Sequence, residues 1–233
     1  MKLSVIVPCF NEEKNIPLVI GRFNQIIKRS EVEVILVDNG STDNSHRIIH
    51  SLLSEYSFVR TVKVESNQGY GFGILSGLRE AKGEYIGWTH ADMQTDPYDV
   101  IKGLNLIEKS AYPVKTFIKG TRKKRPLTDK FFTWGMEIFE KIYLGASLND
   151  INAQPTLFHR SFFELWDEPP YDFSLDLYAF YMARKHNFEV LRFPVFFTKR
   201  IHGHSNWNIG FNGKWKLIKR TLDFSFALKE KMK

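Results

Sequence analysis

Thr89-His90-Ala91-Asp92-Met93-Gln94 is a short polar motif that directly follows the strand-like run Glu84-Tyr85-Ile86-Gly87-Trp88. An acid-bearing turn at the end of a buried strand is where an α/β fold can hold a divalent cation against phosphate oxygens. Two earlier apolar runs end in the same way. One ends in Pro8-Cys9-Phe10-Asn11-Glu12-Glu13, the other in Val37-Asp38-Asn39-Gly40-Ser41-Thr42-Asp43. One such end alone reads as a solvated turn. Three in series predict one crevice above one parallel sheet.

Within the motif, Asp92 is the candidate cation ligand. His90 has two readings: a ligand that suits Mn²⁺ better than Mg²⁺, or a loop histidine that only hydrogen-bonds. The stretch 119–125 carries five basic side chains, Lys119, Arg122, Lys123, Lys124 and Arg125. Charge runs are usually solvated, so 119–130 is expected to be a basic loop. Arg122 is expected to turn inward, because a guanidinium fork matches diphosphate oxygens. Arg200-Ile201-His202-Gly203-His204-Ser205 reads as a mobile loop whose Arg200 closes over phosphate rather than as a metal site. Gly69-Tyr70-Gly71-Phe72-Gly73 is spaced GxGxG and follows the third strand, so it departs from the dinucleotide fingerprint and speaks against a redox cofactor. It reads as a tight turn that lets a helix pack close to the sheet, with Asn67 near enough to reach a ligand.

The elements that must position these residues alternate. Apolar runs predict strands at 3–7, 34–37, 59–64, 84–88, 114–118, 155–159 and 189–193. Helical spacing predicts helices at 15–28, 43–55, 73–81, 97–109, 129–144, 174–186 and 211–233. Asp96 is expected to cap the helix that Pro97 opens. Strand–helix repetition at this spacing gives βαβ units and an α/β, Rossmann-like, mostly parallel sheet flanked by helices. One domain spanning 1–233, with a specialised C-terminal third, is the simplest account.

The 233 residues are 43% hydrophobic and 25% charged, the proportions of a globular protein. No apolar run approaches the ~18 residues of a membrane span, and the opening strand leaves no place for a signal peptide. The single Cys9 is expected to be a buried apolar side chain. These features lead to a cytoplasmic expectation. Charge is uneven: residues 1–112 carry 12 Lys+Arg against 14 Asp+Glu, and residues 113–233 carry 21 against 12. The basic half is expected to face a nucleotide diphosphate, a lipid phosphate or an anionic membrane surface. No nucleic-acid module is present, so no nucleic-acid partner is expected. The last helix, with seven basic residues in 214–233 and with Trp215, Ile218, Leu222 and Phe226 at helical spacing, either packs on the domain or lies on a membrane surface.

Together these residues resemble the GT-A family 2 glycosyltransferases, particularly the dolichol- or polyprenyl-phosphate hexose transferase branch. Ser4–Glu13 resembles the family's opening strand and turn, Val37–Ser45 its VDDGSxD element, and His90–Gln94 its DADLQ element. Asp150-Ile151-Asn152-Ala153-Gln154 with Arg160 resembles an acceptor-side element, and Arg200, Gly203 and Ser205 fall on an RxxGxS loop. The resemblance implies a GT-A fold with a nucleotide-sugar-binding half (1–112), an acceptor-side half (113–210) and a basic amphipathic helix (211–233). It implies that Pro8, Phe10, Glu12, Val37 and Asn39 line base and ribose, and that Asp92, Ala91 and Gln94 serve the cation and diphosphate. Arg122 and Arg200 would clamp phosphate. Two positions depart from the pattern, Asn39 and His90, each standing where the family has an acid.

The implied activity is inverting transfer of a hexose from a UDP- or GDP-sugar, with Mn²⁺ or Mg²⁺, to polyprenyl phosphate. A saccharide hydroxyl as acceptor and a non-catalytic nucleotide-sugar-binding protein are the alternatives. A lipid phosphate is already anionic near neutral pH and needs no strong base; a hydroxyl does. Asp176 stands near where the family places such a base, and reads equally as an acid favoured at a helix N-terminus. A peripheral position on the inner face of a membrane goes with the lipid acceptor.

Overall fold

The structure, a computed structural model, describes residues 1–28, 30–123, 135, 138–203 and 210–231, with the backbone alone at 210–218. The strands are β1 (Leu3–Cys9), β2 (Val32–Asn39), β3 (Val59–Val64), β4 (Tyr85–Trp88), β5 (Thr116–Lys123), β6 (Thr156–His159) and β7 (Glu189–Phe196). The helices are α1 (Ile16–Ile26), α2 (Ser45–Leu53), α3 (Tyr70–Glu80), α4 (Tyr98–Lys109), α5 (Arg160–Phe163), α6 (Leu175–Lys185) and α7 (Gly210–Lys231). Residues 138–143 are also helical. Positions 129–134 and 136–137 of the expected 129–144 helix and the basic residues Lys124 and Arg125 lie outside the described residues, as do His204 and Ser205.

Among the described residues seven strands join one sheet in the order β3-β2-β1-β4-β6-β5-β7, and of these β6 alone runs antiparallel to its neighbours. β1, β2 and β4 are buried on both faces, so successive side chains enter opposite layers. In β1, Leu3, Val5, Val7 and Cys9 meet α1, α2 and α4, whereas Ile6 meets the layer of α3 and α6. In β2, Val34 and Leu36 take the first layer, Ile35 and Val37 the second. On α1, Ile16, Val19, Ile20 and Phe23 are buried at helical spacing. Full burial of a side chain such as Phe23 stabilises by about 1.5–3 kcal/mol.

Asp96 closes α4 onto α1. Its Oδ1 accepts the Tyr98 N–H at 2.9 Å, and its two oxygens take the Arg22 fork at 2.9 Å each. Hydrogen bonding to Arg22 holds its carboxyl below the usual carboxylate range.

Because β1, β2, β4 and β5 run parallel, Cys9, Asn39, Trp88 and Lys123 all end at one sheet edge. Antiparallel β6 begins there, with Thr156 opposite Trp88. The connections reverse direction between β1 and β4, the place where open α/β sheets leave a crevice.

Two expectations are corrected here. The glycine row is the first turn of α3 rather than a turn before it, for α3 begins at Tyr70 rather than Gly73. A Cβ at Gly69 or Gly71 would strike the carbonyls of Tyr171 and Pro170 at 2.5 Å. Two glycines of α3 touch the sheet: Gly73, whose Cβ would lie 3.0 Å from the Asn39 side chain, and Gly77, with Ile6 and Val37 2.7–2.9 Å from where its Cβ would be. The basic run is no loop at its start either, since β5 extends through Lys123 and buries Lys119 completely.

Candidate active site

The first two strand ends fold as one interlocked unit. Asn11, at φ 57°, accepts the Thr42 N–H at 2.8 Å and donates its own N–H to Ser41 Oγ at 3.1 Å. Ser45 Oγ accepts the Glu12 N–H at 2.9 Å, and Glu13 accepts from the Asn44 backbone and side chain at 3.0 Å each. Short polar side chains thus satisfy backbone donors that the turns leave open. Asp38 is buried and takes the Ser41 N–H at 3.0 Å and His46 Nδ1 at 3.1 Å. Asn39, also buried, donates Nδ2 to the Gly69 carbonyl at 3.0 Å, while its Oδ1 has no partner among the described residues.

This unit leaves Phe10 exposed on the rim and Pro8 half-buried. Asn67 is exposed and accepts the Gly69 N–H at 2.9 Å. Val37 is different from the lining residue expected. It is fully buried against α3, since strand alternation points it into the core. Ala91 is likewise packed in the core layer of α1 and α4, so only its main chain can face a ligand.

The β4 end carries Asp92, which is 4% exposed. Its Oδ1 accepts the Gln94 N–H at 3.1 Å, and its Oδ2 meets Arg200 Nη2 at 3.0 Å. Arg200 Nη1 lies 3.8 Å from Glu12 Oε1. Burial pushes the Glu12 carboxyl up, against the pull of Asn15 and Arg200. The Gln94 side-chain amide is already engaged. It donates to the Thr198 carbonyl at 3.0 Å, and Thr198 returns its N–H to the Gln94 carbonyl at 2.8 Å. Burial lowers the His90 pKa, with Asp92 and Asp176 opposing and Arg122 and Arg200 reinforcing. A neutral imidazole is the form that ligates a metal.

Arg122 turns inward from the end of β5, yet its fork is engaged. Nε donates to Asp150 Oδ1 at 2.8 Å, Nη2 to the same oxygen, and the backbone N–H to Oδ2 at 2.7 Å. Its guanidinium also lies 5.4 Å from the Phe197 ring. A phosphate at Arg122 would share it with Asp150.

Beneath this rim lies a buried polar floor. Lys119 donates to Thr156 Oγ1 at 2.9 Å and to Asp176 Oδ1 at 3.1 Å. Gln154 donates to the same Asp176 oxygen at 3.0 Å and to the Tyr70 hydroxyl at 3.2 Å. Burial, then Asp176, push the Tyr70 phenol well above its usual value. Its ring stacks on Phe173 at 4.5 Å and lies 6.1 Å from His90. Asp176 itself is 1% exposed. Arg160, expected beside the acceptor, is at the opposite sheet edge. It donates to the Gly83 carbonyl at 3.0 and 2.7 Å, because antiparallel β6 carries the chain away from the crevice.

Among the described residues no group of three or more His, Cys, Asp and Glu side chains forms a closed cation cage. Mg²⁺ and Mn²⁺ ordinarily take one or two carboxylates and complete their shell with phosphate oxygens. Asp92, with His90 on the same turn, suits that partial donor set, and the Arg200 guanidinium already rests against Asp92.

A family model for glycosyl transferase family 2 matches residues 4–167, which takes in the three strand ends and every floor residue but Asp176. The chain belongs to this family. It has a GT-A fold. Over 125 residues, 52% of this enzyme and 38% of the relative, it is 29% identical to an undecaprenyl-phosphate 4-deoxy-4-formamido-L-arabinose transferase of Yersinia enterocolitica. The match thus spans well under half of that curated relative. Glucosyl-3-phosphoglycerate synthase from Mycobacterium tuberculosis, solved with Mn²⁺ and UDP-glucose, superposes with a TM-score of 0.70 at 14% identity. That superposition covers 96% of the glycosyltransferase and 78% of the synthase. A mannosyltransferase from Pyrobaculum calidifontis, solved with GDP-mannose and Mn²⁺, gives 0.69 at 18% identity. It covers 99% of this enzyme and 64% of that one.

Sequence reasoning overlooked Lys119 and the Tyr70 hydroxyl as parts of this glycosyltransferase's site. The signal for Lys119 was present, since a lysine directly after Thr116-Phe117-Ile118 lies within a strand covered on both faces. Tyr70 was hidden inside a run read for its glycines.

Proposed function

We propose that this glycosyltransferase moves a hexose, with inversion, from a UDP- or GDP-sugar to a polyprenyl phosphate, assisted by a divalent cation at Asp92. His90 favours Mn²⁺ over Mg²⁺, imidazole being a softer ligand than carboxylate. The cation's role is to stabilise the departing diphosphate. Asp92 and His90 hold it, while Arg200 and Arg122 supply positive charge to the same phosphates. Pro8, Phe10, Glu12 and Asn39 surround the nucleoside side of the crevice.

One observation carries the choice of acceptor. The carboxylate expected to activate a hydroxyl, Asp176, is buried and bound by Lys119 and Gln154. A hydroxyl acceptor needs a base within hydrogen-bond reach. A phosphate monoester is already ionised and needs none. The undecaprenyl-phosphate relative supports the same reading.

A lipid acceptor requires a bilayer approach. Among the described residues no helix is long and apolar enough to cross a membrane. Segment 138–143 and α7 present Ile142 at 79%, Phe226 at 44% and Ile138 at 38% exposure. Phe139, Tyr143 and Phe226 join the two helices by ring contacts of 4.9–5.9 Å, with Lys141 and Lys219 exposed and Lys229 half-buried. An apolar patch with lysines suits an anionic interface, and this supports a peripheral position on the cytoplasmic face.

The test is transfer of radiolabelled sugar from a panel of UDP- and GDP-sugars to undecaprenyl phosphate or to saccharides. Label in the lipid fraction supports the reading; label only in saccharide contradicts it.

A further inference from the structure

Arg200 sits where a cation is needed. Its Nη2 is 3.0 Å from Asp92 Oδ2 and its Nη1 is 3.8 Å from Glu12 Oε1. The segment that carries it is tied down on both sides. Thr198 exchanges backbone and side-chain bonds with Gln94, and the His202 carbonyl accepts from Asn15 Nδ2 at 3.3 Å. The guanidinium is nonetheless incompletely satisfied: its Nε–H is buried and has no partner among the described residues. A buried donor without an acceptor is costly. Arg200 is therefore held close to Asp92 by charge, with donor capacity left over.

Asp92 Oδ2 cannot serve a guanidinium and a divalent cation at full strength together. Both are positive, and their repulsion grows as water is excluded from the crevice. A diphosphate changes the balance, because its oxygens match an arginine fork and can take up Nε as well as both Nη groups.

We propose that Arg200 is the resident counter-ion of Asp92 in the donor-free enzyme, and that it moves from Asp92 to the diphosphate when the nucleotide arrives. Asp92 is then released to the cation only in the presence of the nucleotide. Metal and donor bind as a coupled pair, and by linkage each strengthens the other equally. Rotation of one side chain suffices, since the flanking anchors at Thr198 and His202 need not break. This inference rests on the reading of Asp92 as the cation ligand.

The test is a titration of Mn²⁺ alone, followed by electron paramagnetic resonance of the free ion, then repeated with UDP and with GDP. In the wild type, Mn²⁺ alone should bind weakly and the nucleotide should tighten it. Arg200→Gln removes the competing charge, so affinity for Mn²⁺ alone should rise about tenfold, a typical coupling factor. Affinity for the nucleotide should fall in the same variant. Arg200→Lys keeps a charge and should leave the Mn²⁺-alone affinity near wild type. If Arg200→Gln binds Mn²⁺ alone no better than wild type, while Asp92→Asn still abolishes nucleotide-dependent Mn²⁺ binding, the counter-ion role is wrong and Asp92 remains the ligand. If Asp92→Asn binds Mn²⁺ and nucleotide like wild type, both readings fall.

Discussion

Lys119 Nζ lies 3.1 Å from Asp176 Oδ1, with the two side chains 0% and 1% exposed. A fully sealed ion pair of this kind contributes little as a pair, but removing one member strands the other charge. Burial lowers the Lys119 pKa while Asp176 opposes the shift. The pair sets the floor of the crevice, and Lys119 and Gln154 both donate to the same Asp176 oxygen.

Lys119→Met is expected to destabilise the enzyme by about 3–5 kcal/mol, because it leaves the Asp176 carboxylate without its counter-charge. Lys119→Met combined with Asp176→Asn should recover most of that loss. Urea denaturation of the single and double variants measures both. Equal destabilisation by the single and double changes would mean that the pair is not the source.

How much of this was legible beforehand depends on burial. All seven strands and the crevice could be read, because β1 and β2 are apolar runs closed by polar turns and α1 repeats its apolar face at helical spacing. Lys119 was misread because charge density is scored along the chain, whereas burial follows from what packs across it. Beginning the basic run inside β5 made a core lysine look like a loop lysine. Arg160 was misplaced for a topological reason. A parallel β6 would have brought its far end to the crevice; the antiparallel strand takes it to the opposite edge. The glycine row signalled a close approach, which Gly73 makes to Asn39 of β2, but Gly69 and Gly71 meet the 170–172 loop, which no local pattern announces.

Glu140 gives a pH signature to the junction between segment 138–143 and α7. It is fully buried, accepts from Ser225 at 2.8 Å, and burial raises its pKa from 4.5 to about 7. Between those values the unfolded chain releases this proton while the folded chain keeps it. Stability should therefore fall as pH rises through that window, by at most roughly 3 kcal/mol. Glu140→Gln should remove the slope. Thermal melts of both proteins across the window check this, and parallel curves would overturn it.

Ile142 is 79% exposed, so Ile142→Glu should change stability by less than about 0.5 kcal/mol. It should nonetheless abolish sedimentation with anionic vesicles, which in the wild type should weaken as salt screens the lysines. Retained vesicle binding by Ile142→Glu would remove this face from the membrane reading while leaving the acceptor chemistry untouched.

The most direct measurement is sugar transfer to undecaprenyl phosphate in Mn²⁺ by wild type, Asp92→Ala and Asp176→Asn, each corrected for the folded fraction. The account predicts lipid-linked sugar from wild type, none from Asp92→Ala, and most of the wild-type rate from Asp176→Asn, whose amide still offers Lys119 an acceptor. Transfer to a saccharide alone, lost in Asp176→Asn, would contradict it.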